Sequence, residues 1–138
     1  MAKQISVFLE NAPGRLNHLL KILAENDINI TSLAIADTGE YGITRLIVSE
    51  HDRAVALLKE NEMSVSETEV LAIALNNEAG QLYNATKLLS DNGINVEYAY
   101  SALPDSNDKA IVMLRVDYIQ EALRVIKESN SIELIDII

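Results

Sequence analysis

The chain carries one sequence pattern twice, in the same order, and this constrains its fold more than any single motif. Asn11-Ala12-Pro13-Gly14-Arg15-Leu16 returns as Asn77-Glu78-Ala79-Gly80-Gln81-Leu82. Asp27-Ile28-Asn29-Ile30 returns as Gly93-Ile94-Asn95-Val96, at the same offset of 66 residues. Ala54-Val55-Ala56-Leu57-Leu58-Lys59-Glu60 returns as Ala122-Leu123-Arg124-Val125-Ile126-Lys127-Glu128, now offset by 68. Constant order means a duplicated folding unit, and the two extra residues belong in the loop around Pro104 to Lys109. Units of about 65 to 70 residues are too large for solenoid repeats and fit small domains. The expected division is 1–69 and 70–138, with a short connector near Glu67–Glu69. Units this small are near the lower limit for burying a core alone, so packing against each other or against a second chain is expected.

Composition narrows the function classes. Hydrophobic residues make up 49% of the 138-residue chain, which suits a globular protein. The absence of cysteine excludes disulfides, thiolate metal sites and cysteine nucleophiles. A formal charge of −10 argues against nucleic acid, which needs clustered Lys and Arg. No apolar run approaches the ~20 residues of a membrane span, and the first residues carry no signal-peptide pattern. A soluble, cytoplasmic protein is the expectation.

Each half alternates between strand and helix periodicity. Ile5, Val7 and Leu9 share one strand face, as do Leu71, Ile73 and Leu75. Leu16, Leu19, Leu20 and Leu23 follow at helical spacing; Leu82, Ala85 and Leu89 repeat them, with Thr86 weakening the stripe. Asp27 or Gly93 ends that helix, and second strands are expected over 28–36 and 94–102. Thr44, Leu46 and Val48, or Val112, Leu114 and Val116, form the inner face of a third strand. A second helix begins near Asp52 as N-cap, and its counterpart after Asp117. Last strands are expected at 63–66 and 132–138. The order is βαββαβ, twice. This predicts an α+β fold of two ferredoxin-like units, each an antiparallel four-stranded sheet with both helices on one face. The second strand lies at an edge, long and without Lys or Pro. Such edges invite pairing into a larger sheet, within the chain or across a homodimer.

The first loop is the place for chemistry. Proline fits a helix start, and glycine lets a ligand approach the backbone. Free N–H groups near Gly14, Arg15 and Leu16 point outward at the positive end of the helix dipole, where a carboxylate belongs. Asn11 adds an amide that both donates and accepts, which suits a zwitterion, or else it simply caps the helix. Asn29 and Asn95 are poor strand formers in apolar company. Either they satisfy local backbone, or they reach across an edge-strand interface toward a neighbouring loop.

These residues together resemble the ACT domain family, small βαββαβ modules that bind amino acids and regulate metabolic enzymes. Asn11-x-Pro13-Gly14-x-Leu16 with Asp27-Ile28-Asn29-Ile30 looks like the signature of the regulatory domain of phosphoglycerate dehydrogenase. The likeness covers essentially the whole chain as two tandem copies. It implies a free amino acid as ligand, held between the first loop of one domain and the second strand of its neighbour. It also implies a homodimer and a biosynthetic enzyme as a further partner. The implied ligand contacts are Asn11, Ala12, Gly14, Arg15, Leu16, Asn29 and Ile30. In the second copy they are Asn77, Gly80, Gln81, Leu82, Asn95 and Val96. Leu9 and Leu75 stand where the dehydrogenase pattern has a polar ring, Ala79 replaces proline, and Gln81 answers Arg15. With Tyr98, Leu9 and Leu75 are candidates for side-chain selectivity.

Candidates for catalysis are few. His18 lies beside a leucine stripe and His51 beside Asp52; neither is repeated, so both read as surface or capping residues rather than metal ligands or bases. Acylphosphatases on a similar fold hold phosphate with a loop Arg and a strand Asn. Arg15 and Asn29 offer a remote parallel without the glycine-rich phosphate loop. The expectation is a non-catalytic regulatory protein with no metal and no cofactor. The alternative is a regulatory small subunit of an enzyme such as acetolactate synthase.

Overall fold

The computed structural model describes residues 1–37, 39–103 and 108–137. Its elements run β1 (Ala2–Glu10), α1 (Arg15–Glu25), β2 (Ile30–Asp37), β3 (Tyr41–Val48), α2 (His51–Glu60) and β4 (Ser64–Leu75). They continue through α3 (Gln81–Asp91), β5 (Val96–Ser101), β6 (Ala110–Val116), α4 (Ile119–Ser129) and β7 (Glu133–Leu134). The fold is α+β, with the βαββαβ order repeated. Two compact units are present: Lys3–Thr68, here the amino-terminal unit, and Glu69–Ile137 with Met1–Ala2, the carboxy-terminal unit.

In the amino-terminal unit β1 pairs antiparallel with β3, setting Ile5 opposite Leu46 and Val7 opposite Thr44. These inner-face residues meet Leu19, Ile22 and Leu23 of α1 and Ala54 and Leu58 of α2 in one core. Leu19 and Leu23, at most 1% exposed, are the anchors of α1. Burying each contributes about 1.5–3 kcal/mol relative to exposure. The helix ends where Asp27 takes a left-handed turn, φ 56, and Ile28 N donates back to Leu23 O at 3.0 Å. The carboxy-terminal unit repeats this. Leu71, Ile73, Leu75, Val112, Leu114 and Val116 form the sheet's inner face under Ala85, Leu89, Ala122, Val125 and Ile126. Thr86 hydrogen bonds to its own helix, to Leu82 O at 3.1 Å, and leaves Leu82 45% exposed. That is the weak stripe seen in sequence.

Several boundaries differ from expectation. The strand over 63–66 and the strand holding Leu71–Leu75 are one twelve-residue strand, β4, so the 67–69 connector is extended backbone. Ser66, Glu67 and Glu69 are polar and exposed, so no apolar alternation marks the middle of this strand. Glu50, not Asp52, is the N-cap of α2; Asp52 lies in its first turn. The last strand narrows to Glu133–Leu134, after which Ile137 makes a parallel bridge to Ala2. The Met1 ammonium donates to Ile135 O at 3.0 Å and to Asp136 Oδ1 at 2.7 Å. The turn expected at Pro104–Lys109 lies mostly outside the described residues.

Within the amino-terminal unit β2 pairs with β3, and within the carboxy-terminal unit β5 pairs with β6; among the described residues no second strand of the same unit adjoins either edge. No described helix is long and apolar enough to cross a membrane.

Candidate functional site

The two first loops share a backbone. Gly14 and Gly80 are the N-cap residues of α1 and α3, at φ 86 and φ 89, a conformation that costs an L side chain dearly. Neither glycine would meet a heavy atom within 4 Å of an added Cβ, so both face open space. Matching turn bonds precede them: Ala12 N to Glu10 O at 2.9 Å, and Glu78 N to Asn76 O at 2.8 Å. No side chain caps either helix. The first-turn amides of Leu16 and Asn17, or Leu82 and Tyr83, have no intrahelical partner by construction and stand at the positive helix end.

Asn11 is therefore not the cap. Its Nδ2 donates to Gly39 O at 3.0 Å, and its backbone N donates to Glu40 O at 2.7 Å. Both bonds tie the loop to the β2–β3 turn. Asn77 is exposed, and the equivalent turn falls largely outside the described residues.

In the amino-terminal unit this loop closes one end of a cavity of about 160 Å³, lined by Leu9, Glu10, Asn11, Ala12, Leu16, Ile35, Asp37, Gly42 and Thr44. Strand register explains the lining. Leu9 and Asp37 both lie opposite Gly42, and Ile35 lies opposite Thr44, all on the helix face of the sheet. Gly42 supplies no side chain at the centre of that face. The walls are apolar and the rim is acidic. Arg15 leans away to Glu10, Nε to Oε2 3.3 Å, and Asp37 Oδ1 accepts from Gly39 N at 2.8 Å. Of the sequence candidates, Asn11, Ala12 and Leu16 line this cavity, and Gly14 and Arg15 adjoin it. Sequence reasoning missed Ile35, Asp37, Gly42 and Thr44. The available signal was the short stretch between the second- and third-strand patterns, where Gly39-Glu40 brings β2 and β3 back beside the loop.

The carboxy-terminal unit has a cavity on another side of its loop. It measures about 410 Å³ and is lined by Ala74, Leu75, Asn76, Gln81, Lys109, Asn130, Ser131, Ile132 and Glu133. Lys109 Nζ and Glu133 Oε2 form an ion pair across it. Leu75 lies in its wall; Tyr98 does not, being stacked on Tyr100 with ring centroids 6.4 Å apart.

Asn29 and Ile30 stand at the far end of β2 from the loop, roughly 25 Å from Asp37 at about 3.3 Å per residue. Backbone, not side chain, fixes Asn29: its N donates to Ser49 Oγ at 3.0 Å and its O accepts from Ser49 N at 2.9 Å. Asn95, beside Val96, repeats this with Asp117, its N donating to Oδ1 at 2.9 Å. Neither Asn reaches the loop of its own unit, and both side chains stand exposed.

His51 differs from its expected surface role. Its side chain is only 9% exposed, and Nε2 lies 2.6 Å from Glu67 Oε1. That hydrogen bond holds the Glu67 carboxyl below its ordinary value. Asp52 brings a carboxylate oxygen within 4.8 Å of both partners. A metal on Nε2 would displace this bond and leave a proton on Nδ1, which is buried without a hydrogen-bond partner. The pair fits a strut between α2 and β4 better than a metal site.

Comparison with known proteins places this architecture. A family model described as an ACT domain pair matches residues 1–136. Protein BT0572 from Bacteroides thetaiotaomicron is 38% identical and superposes with a TM-score of 0.90, over 97% of this chain and 91% of that one. The ligand-free regulatory subunit of aspartate kinase from Thermus thermophilus is 16% identical, with a TM-score of 0.66 over 93% of this chain and 92% of that one. The regulatory subunit of aspartate kinase from Thermus flavus is 14% identical, with a TM-score of 0.63 over 94% and 92%. No curated protein matches.

Proposed function

The chain belongs to the ACT domain pair family, and on that premise we propose that it is a non-catalytic, cytoplasmic regulatory protein that binds a free amino acid. In this reading residues 1–69 and 70–138 are the two ACT domains. One observation carries it: a helix N-terminus opened by a left-handed glycine beside a small cavity with apolar walls and an acidic rim. The first-turn amides of Leu16 and Asn17 suit the ligand's carboxylate, and Asp37 and Glu10 suit its ammonium. Leu9, Leu16 and Ile35 suit a short apolar or weakly polar side chain. A dry cavity of ~150 Å³ accepts a six-atom ring, so ~160 Å³ limits the ligand to about six to eight heavy atoms.

A homodimer would complete the site. Antiparallel pairing of β2 with β2 of a second copy, centred on Leu33, would bring Asn29 of that copy opposite Asp37. Leu33 and Ile35, 41% and 52% exposed, would then be covered. Asn77, Gly80, Gln81, Leu82, Asn95 and Val96 form the corresponding set in the second copy. The fold shared with aspartate kinase regulatory subunits makes a biosynthetic enzyme the class of protein partner to seek by co-purification.

Isothermal calorimetry with the small amino acids, glycine through valine, tests the reading. One of them should bind below about 1 mM, and sedimentation should show a dimer. If no amino acid binds at millimolar concentration, the reading fails.

A further inference from the structure

The carboxy-terminal unit offers a cavity of different size and chemistry, and the geometry points to a second, independent site there for a longer polar zwitterion. At about 410 Å³ it falls within the ordinary range of small-molecule pockets and is too large for the ligand of the first cleft. Its base is apolar and shielded, with Ala74 5% and Leu75 6% exposed. Its rim is polar: Asn76, Gln81, Asn130 and Ser131 surround the Lys109–Glu133 ion pair.

The charges select the ligand. A phosphate or dicarboxylate would gain Lys109 but face Glu133; a cation would gain Glu133 but face Lys109. A molecule with one carboxylate and one ammonium satisfies both by exchanging a protein ion pair for two ligand contacts. The exchange costs little, because a part-exposed pair contributes at most about 1 kcal/mol. Gln81, the first residue of α3, also places the positive helix end beside the carboxylate position. The three amide side chains both donate and accept, so they fit a polar side chain extending beside the two charges. By the scaling applied to the first cleft, the volume admits up to about 15 to 20 heavy atoms.

The test is a titration of the full chain followed by amide NMR, with L-glutamine, L-arginine and glycyl-L-glutamine as probes and L-alanine as the small comparison. At least one of the three should saturably shift Lys109, Ser131 and Glu133 with Kd below about 1 mM, while L-alanine leaves them unmoved. Lys109→Met or Glu133→Gln, both surface changes, should weaken that probe at least tenfold without altering the remaining spectrum. Absence of saturable shifts for all three probes overturns the site, as does binding within tenfold of wild type in both variants. Shifts at Asn11, Asp37 and Gly42 report the first cleft separately, so failure of one site is distinguishable from failure of the other.

Discussion

The loops at Glu10–Arg15 and Asn76–Gln81 have nearly the same backbone, yet they border unlike cavities. Both rest on a glycine near φ 90 and on matching turn bonds. The walls follow other rules. Gly42, opposite Leu9, is answered by Ala110, opposite Leu75; Ile35, opposite Thr44, is answered by Ser101, opposite Val112. One missing Cβ and one long side chain shape the small apolar cleft on the β2 side. The cavity of about 410 Å³ in the second copy lies instead toward the α4–β7 connection. Duplication preserved the loop's scaffold while side chains set the chemistry.

The largest expected effect removes the first cleft alone. Gly42 has an ordinary backbone, and an added Cβ would meet Ala36 O at 3.5 Å and Ile35 Cγ2 at 3.8 Å, which is normal contact. Gly42→Leu should therefore fold and fill the cavity. Amino-acid binding at this cleft should fall more than 100-fold, about 2.7 kcal/mol or more. Calorimetry with wild-type affinity would show that the ligand does not enter here. Binding at the second cavity should be unchanged.

The shared scaffold is tested by matched changes. Gly14→Ala and Gly80→Ala each place a Cβ in the left-handed region, at a cost of about 1–2 kcal/mol. Urea denaturation should find the two costs equal within about 0.5 kcal/mol, since the backbone angles agree within a few degrees. A large inequality would mean the loops are not energetically equivalent. Asn11→Ala comes next, removing the bond from Nδ2 to Gly39 O for about 1 kcal/mol. It should also loosen the loop from the β2–β3 turn, read as faster amide exchange at Glu40 and Tyr41.

Much of this was legible in sequence, for identifiable reasons. The repeat, the two periodicities and the glycine-opened helices each leave a local signal, and they led to the βαββαβ order and to Asn11, Gly14 and Leu16. That Asn11 ties the loop to the β2–β3 turn instead of capping the helix was not readable locally, because its partner, Gly39, is 28 residues away. Asp37 and Gly42 fell just outside the residues assigned to the second and third strands; only strand register puts them on the cavity face. Lys109 and Glu133 are 24 residues apart and resemble any solvated charges until the fold sets them across one opening. The continuous β4 escaped notice because its middle residues are polar and exposed.

The smallest effect concerns the strut between α2 and β4, which has no repeated counterpart: Tyr118 and Ile119 stand where the first copy has Glu50 and His51. Glu67 accepts a hydrogen bond from the nearly buried His51, and its carboxyl lies below the ordinary 4.5. A depressed folded-state value means the carboxylate is favoured by folding. Its contribution is present above the unfolded value near 4.5 and fades as pH falls through the lower folded value. Glu67 is half exposed, so solvent screening keeps the contribution below about 1 kcal/mol. Glu67→Gln should lower stability by a few tenths of a kcal/mol at pH 5 to 6. The difference from wild type should shrink toward zero between about pH 4.5 and pH 3. Denaturant titrations across that range decide it. A difference that grows on acidification would reverse the sign and remove the His51–Glu67 hydrogen bond from the account of how this unit is held together.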